Sequence, residues 1–146
     1  MDQGERSSEY RKSLSFLRAH ADEAVTALAP FLLEQPGSFR KWQLTYLVGE
    51  FGDQSAIGIL RELLQTPMPE PQTVGSGSHS IDLVYSEDLA SRIQAVMSIA
   101  RIASHHPELR DRVIGELLVA AHEVPHAKST ALFELHKLRE HLVRRN

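Results

Sequence analysis

The sequence of 146 residues contains no cysteine, which excludes disulfide bonds and thiolate metal sites. It also lacks an apolar run of the roughly 20 residues that a membrane-spanning helix needs. The first residues, Met-Asp-Gln-Gly-Glu-Arg, have neither the basic start nor the apolar stretch of a signal peptide. These absences lead us to expect a cytoplasmic protein with no membrane association.

An excess of positive charge is also missing. The chain has 16 Lys and Arg against 19 Asp and Glu, which gives a formal net charge of −3. A dedicated nucleic-acid binder needs clustered basic side chains to neutralise phosphates, whereas here they are spread among acids. We therefore expect no nucleic-acid partner. The length and the hydrophobic content of 42% are those of one ordinary domain, which we assign to residues 1–146.

The clearest pattern covers residues 40–64, where apolar residues recur at intervals of three and four. This spacing predicts two amphipathic helices that share an apolar seam. Between them stand Gly52, suited to the left-handed position that ends a helix, and Asp53, suited to cap the next one. The stretch therefore predicts an αα-hairpin.

At these residues the chain resembles HEAT repeats, in the short bacterial variety known from phycobilisome-lyase-like proteins. The matching positions are Arg40, Val48-Gly49, Gly52-Asp53, Ala56, Leu60 and Leu63-Leu64. Val48 stands where that family usually has Leu. The resemblance implies a stacked array of helical hairpins that serves as a surface for protein partners.

The rest of the chain fits the same helical rhythm. A first hairpin is predicted from Ser7 to Gln35, and a third pairs residues 88–104 with 108–123 around a His105-His106-Pro107 corner. Arg92 takes the place that Arg40 holds one repeat earlier. A last helix, 127–143, would close the array with a charged outer face that includes Glu134. We predict an all-α protein, an α-α superhelix (short HEAT-like solenoid) of about three hairpins plus a C-terminal capping helix.

An irregular insertion is predicted at about residues 67–86, since its first part has three prolines, two glycines and no apolar period. Helix is expected to resume near Ser86. The segment Ile81-Asp82-Leu83-Val84-Tyr85 alternates apolar and polar residues and is predicted to be extended over neighbouring helices. Two interpretations fit such an insertion: a partner-binding element, with Asp82 and Tyr85 in contact, or a tolerated surface excursion.

In solenoids the second helix of each hairpin commonly lines the inner surface. Six outward-facing positions on the predicted second helices become candidate partner-binding residues: Arg61, Glu62, Gln65, Arg112, Glu116 and Val119. Their mixed charge suits a protein surface. The competing interpretation is that each is an ordinary solvated side chain.

One catalytic pattern occurs, because His122-Glu123-Val124-Pro125-His126 satisfies the zinc-protease motif H-E-x-x-H. That chemistry needs both histidines on one face of a continuous helix, which Pro125 would interrupt. We interpret the motif as a coincidental turn between helices. No catalytic residue, metal ligand or cofactor is therefore predicted.

The aromatic residues Trp42, Tyr46 and Phe51 fall in the first helix of the best repeat. Packing in the core is the expected role, with exposed anchoring of a partner as the alternative.

We predict a non-catalytic protein–protein interaction module of the adaptor, regulatory or inhibitor type, which binds a partner protein through the solenoid groove and the 67–86 insertion. One alternative is a chromophore-lyase-like accessory protein, which the resemblance alone implies. Another is a HEAT-like nucleic-acid-binding or DNA-repair protein. It would need a basic groove, which this acidic sequence does not offer.

Overall fold

A computed structural model describes residues 3–34, 39–70 and 83–145 of the chain. Its α-helices are α1 (Gln3–Ala19), α2 (Ala21–Leu32), α3 (Phe39–Phe51), α4 (Gln54–Gln65), α5 (Leu83–His105), α6 (Arg110–Glu123) and α7 (Lys128–Arg145). A single 3₁₀ turn, Pro107–Leu109, leads into α6. No strand occurs in the described ranges, so the predicted all-α class is confirmed.

The helices contact one another in a regular order. Helix α1 packs on α3, α3 on α5 and α5 on α7, while α2 packs on α4 and α4 on α6. Helices that follow each other along the chain also touch, and the most extensive contact is between α3 and α5. Odd-numbered and even-numbered helices therefore form two contacting series with the apolar core between them.

The core is richest on α4, where the three- and four-residue spacing buries one continuous face. The buried apolar residues of this helix are Ala56, Ile57, Ile59, Leu60, Leu63 and Leu64. Helix α5 is buried along most of its length and contributes Val96, Ile99 and Ile102 to the same core. Because burial of one such side chain stabilises a protein by about 1.5–3 kcal/mol, these two helices dominate the apolar stabilisation.

The corner between α3 and α4 is held by Asp53. Its Oδ1 accepts hydrogen bonds from the backbone nitrogen of Ser55 at 3.0 Å and from the Ser55 hydroxyl at 2.8 Å. The predicted cap is confirmed. The predicted left-handed Gly52 is wrong, because its φ lies outside that region. A side chain there would collide with Ala56 and lie 2.5 Å from the Val48 carbonyl oxygen, so close approach explains the glycine.

A second close approach joins α3 to α5. A Cβ atom on Gly49 would lie 2.6 Å from the Cβ of Ser98. The Ser98 hydroxyl also donates a hydrogen bond to the carbonyl oxygen of Thr45 at 2.8 Å. Because Gly49 has no side chain, the backbone of α3 can lie directly against the Ser98 side chain of α5.

The insertion is shorter than predicted at its C-terminal end. Helix α5 begins at Leu83, three residues before the predicted Ser86, so residues 83–86 are helical and not extended. Residues 67–70 are irregular, as predicted. Residues 71–82, which include Asp82, lie outside the described ranges.

The closing helix α7 follows the prediction of a helix over 127–143 closely. Its buried face differs from the predicted one. Glu134, predicted on the charged outer face, is 6% exposed, whereas Leu132 on the same helix is 48% exposed. Over the described residues, no helix has both the length and the apolar character that crossing a membrane requires.

Candidate functional site

A cleft of about 320 Å³ lies where the C-terminal half of α4 faces the C-terminal half of α6. It is lined by Arg61, Leu64, Gln65, Thr66, Pro67, Met68, Arg92, Glu116, Val119, Ala120, Glu123, Val124 and Pro125. Four of the residues predicted to bind a partner, Arg61, Gln65, Glu116 and Val119, therefore meet in one concave surface. We call this surface the α4–α6 groove.

Helical spacing explains why these side chains converge. Arg61 and Gln65 are four residues apart on α4, so they occupy the same face one turn apart. On α6, Glu116, Val119 and Glu123 follow the same spacing of three and four. Each helix buries its apolar face in the core, and these charged, polar and apolar groove residues lie next to that face.

An ion pair bridges the groove. The Arg61 Nη1 atom lies 3.5 Å from Glu116 Oε1, and the two side chains are 50% and 11% exposed. A pair that is this open to water contributes about 0–1 kcal/mol. A partner that offers its own charges can therefore replace the pair at little cost.

Three other predicted residues do not line the groove. Glu62 and Arg112 are exposed on α4 and α6, outside the cleft. Tyr85 lies in the first turn of α5, where its hydroxyl is 3.2 Å from His126 Nε2 and the two rings meet edge to face. Tyr85 therefore packs on the α6–α7 turn, next to Pro125 at the edge of the groove. Asp82 lies outside the described residues.

The H-E-x-x-H motif does not occupy a continuous helix. Helix α6 ends at Glu123, and His126 stands in the turn that follows with a φ of 65°. The two histidines therefore do not share one helical face as zinc-protease chemistry requires. Nowhere in the described parts of the chain does a group of three or more His, Cys, Asp or Glu side chains have an arrangement that could hold a metal ion.

Beside the groove lies a buried ionic cluster that the sequence analysis missed. Asp88 Oδ2 accepts a hydrogen bond from Arg92 Nε at 2.7 Å, and Asp88 Oδ1 lies 3.6 Å from Lys41 Nζ. All three side chains are at most 2% exposed. Burial is the main cause of a lowered Lys41 pKa, which the Asp88 carboxylate partly offsets and Arg92 lowers further.

The remaining donors of Arg92 hold the end of α4 and the start of the insertion. Its Nη1 donates to the Leu64 carbonyl oxygen at 3.3 Å, and its Nη2 donates to the Thr66 hydroxyl and the Pro67 carbonyl oxygen, both at 3.1 Å. Since Arg92 also lines the groove, the cluster fixes the wall that residues 66–68 form.

The sequence does carry one signal for this cluster. Asp88 and Arg92 are four residues apart on the face of α5 that also holds buried residues such as Val96, so two opposite charges occur where apolar residues are expected. The third member of the cluster, Lys41, was not predicted, because the sequence analysis matched Arg92 with Arg40 instead. Arg40 is exposed, and its neighbour Lys41 turns toward the core instead.

The aromatic residues of α3 divide between core and surface. Phe51 is 1% exposed, as predicted, but Tyr46 is 40% exposed. Phe39, Trp42 and Tyr46 stack in a row, with centroid distances of 5.8 Å and 6.3 Å. The Arg101 guanidinium lies 4.3 Å from the Tyr46 ring centroid. We call this row of three rings on α3 the aromatic stripe.

Comparisons with protein-family models, with curated proteins and with solved structures find no match for this chain.

Proposed function

We propose that this chain is a non-catalytic interaction module, built as a short HEAT-like α-α superhelix, that binds a segment of a partner protein in the α4–α6 groove. The observation that carries the proposal is the convergence of Arg61, Gln65, Glu116 and Val119 on one concave surface.

The packing order of the helices supports the superhelical part of the proposal. In stacked hairpins, each repeat contacts its neighbours through equivalent helices. The contacts of α3 with α1 and α5, of α5 with α7, and of α4 with α2 and α6 follow that scheme. The groove then lies on the even-numbered series, which is the usual inner surface.

The chemistry of the groove suits a polypeptide. Leu64, Met68, Val119 and Pro125 provide apolar contact, while Arg61 and Glu116 offer one charge of each sign. Protein interfaces combine such an apolar centre with a polar rim. A partner segment with an apolar residue between opposite charges would replace the Arg61–Glu116 pair by two intermolecular ones.

Site-specific photo-crosslinking tests the proposal. The photoreactive amino acid p-benzoylphenylalanine at position 119 lies in the groove, whereas at position 118 it lies on an exposed neighbouring position of α6 that does not line the cleft. In native lysate of the source cells, we expect one protein to crosslink at position 119 and not at 118.

The same partner should be lost when Arg61→Glu is added to the position-119 protein, because two acids then face each other across the groove. Crosslinks that are equal at both positions, or that Arg61→Glu leaves unchanged, would contradict the groove as the binding site. Circular dichroism of each variant verifies that the helices remain folded.

A further inference from the structure

A second cleft, of about 340 Å³, lies between α5 and α7 on the odd-numbered series of helices. Its apolar part is formed by Met97, Ala100, Ala103 and Leu138. Charged side chains surround this floor, and they are Arg101, Arg110, Glu134 and Lys137. None of these residues lines the α4–α6 groove.

The charges of this cleft are unbalanced. Arg101 pairs with Glu50 at 3.1 Å, and Lys137 pairs with the buried Glu134 at 3.1 Å. Arg110 is half-buried and has no ion-pair or hydrogen-bond partner for its guanidinium within the described ranges. One arginine fork therefore stands at an apolar floor with its donors open to a ligand.

A carboxylate matches such an open guanidinium best, because the fork can donate two parallel hydrogen bonds to its two oxygens. The floor next to it can receive an apolar side chain. The ligand that fits this cleft thus carries an acidic group and an apolar group side by side. The volume of the cleft falls at the lower end of the roughly 300–1,000 Å³ that is usual for ligand pockets.

The surroundings point to a polypeptide rather than a small molecule. Arg101 lines the cleft and also stacks on Tyr46, so the aromatic stripe begins where the cleft ends. The stripe runs on through Trp42 to Phe39, which is 61% exposed. A chain that leaves the cleft can therefore continue over exposed aromatic rings, which are favoured anchors in protein interfaces.

We propose that the α5–α7 cleft binds an acidic peptide segment of a partner protein, with a carboxylate of the segment on Arg110 and the adjacent apolar side chain on Met97, Ala100 and Leu138. This site is independent of the α4–α6 groove. The molecule then has a recognition surface on each series of helices.

The methionines allow the two sites to be distinguished in one measurement. The chain has three, of which Met97 lines the α5–α7 cleft and Met68 lines the α4–α6 groove. With ¹³C-methyl-methionine labelling, each site has its own NMR signal. The probe is the blocked peptide acetyl-Glu-Leu-Phe-Glu-amide, with acetyl-Gln-Leu-Phe-Gln-amide and acetyl-Lys-Leu-Phe-Lys-amide as matched controls.

We expect the acidic peptide to shift the Met97 methyl signal saturably and to leave the Met68 signal in place. The neutral and basic peptides should bind at least about tenfold more weakly, since they lose the charge-assisted hydrogen bonds. Arg110→Gln should weaken the acidic peptide to the level of the neutral one. Arg110→Lys should restore part of the affinity, and Arg139→Gln, which removes an exposed arginine of α7 outside the cleft, should change nothing.

A Met97 signal that does not respond to the acidic peptide would overturn the proposal. Equal binding of the three peptides, or unchanged binding to Arg110→Gln, would also overturn it, because the carboxylate–guanidinium contact would then be absent. A shift of Met68 alone would assign acidic peptides to the α4–α6 groove and remove the second site. Amide spectra of each variant establish that it is folded.

Discussion

Asp88 and Arg92 face each other across one turn of α5, with 2.7 Å between the carboxylate Oδ2 and the guanidinium Nε. Lys41 from α3 approaches the other carboxylate oxygen at 3.6 Å. One buried carboxylate thus lies close to two buried cations. Lys41 Nζ also donates a hydrogen bond to the Glu34 carbonyl oxygen at 3.1 Å. Breaking a buried ion pair is costly, because the charge that remains stays desolvated. Removal of Asp88 and removal of Lys41 should therefore change the stability by different amounts.

Asp88→Asn removes the carboxylate that both Lys41 and Arg92 contact. The free energy of unfolding should fall by about 3–5 kcal/mol, as when one partner of a buried ion pair is removed. Urea denaturation followed by circular dichroism measures the change. A loss below about 1 kcal/mol would mean that water screens the cluster, contrary to its burial.

Lys41→Met removes the more distant of the two cations and leaves the Asp88–Arg92 pair intact. Since burial is the main cause of the lowered Lys41 pKa, the charged amine is costly where it lies. The unfolding free energy should therefore change by less than about 1 kcal/mol in either direction, in contrast to Asp88→Asn. The same urea titration serves for both variants, and equal large losses would show that Lys41 contributes as much to the cluster as Asp88 does.

Gly49→Ala should destabilise the protein, because the added Cβ would lie 2.6 Å from Ser98 Cβ and 2.8 Å from its Cα. Such overpacking costs about 1–3 kcal/mol. Gly58→Ala is the matched control: it lies inside α4 with open space around the new methyl group. There the better helix propensity of alanine should stabilise by about 0.5–1 kcal/mol. Thermal unfolding that moves both variants in the same direction would contradict this packing.

Acidification should destabilise the fold partly through His105. Its pKa is lowered mainly by partial desolvation of the ring, and then by Arg18, so the unfolded chain takes up this proton at a higher pH than the folded chain. The His105 contribution is therefore complete above about pH 6.5 and is lost as the pH falls below that value. In denaturant titrations from pH 7.5 to 5, His105→Gln should lose less stability than the wild type. Parallel pH profiles would exclude this role.

Variants of the groove should leave stability almost unchanged. Arg61 is half exposed, so loss of its pair with Glu116 should cost about 0–1 kcal/mol. Arg61→Ala and Glu116→Gln should therefore melt close to the wild-type temperature. A large fall in the melting temperature of either variant would show that the pair holds α4 on α6, and partner-binding experiments would then need other positions.

Local signals in the sequence explain why most of the helices could be predicted. The Asp53 cap and Pro107 mark corners chemically, so α4 and the turn before α6 begin close to their predicted positions. The start of α5 was missed because Leu83, Val84 and Tyr85 form an apolar run too short to distinguish a strand from a helix. Tyr85 instead packs on His126, which is 41 residues away along the chain. A local sequence pattern cannot indicate such a contact.

Helix phase limited the prediction of buried polar groups. One residue along a helix turns the side chain by about 100°, so Arg40 and Lys41 point in clearly different directions. The exposure of Arg40 and the burial of Lys41 and Glu134 follow from where neighbouring helices lie. The groove residues on α4 and α6 were predictable because they flank strong apolar faces. The α5–α7 cleft combines residues from distant parts of the chain and has no such local signal.

The hydrogen bonds that Arg92 donates to Leu64, Thr66 and Pro67 have a consequence for engineering. They join the end of α4 and the two residues after it directly to α5. Lengthening a connection costs little, about 0.6 kcal/mol for each doubling. A tag or a sensor domain inserted between residues 70 and 83 should therefore leave the contact between α4 and α5 in place, because the Arg92 hydrogen bonds lie outside the inserted stretch.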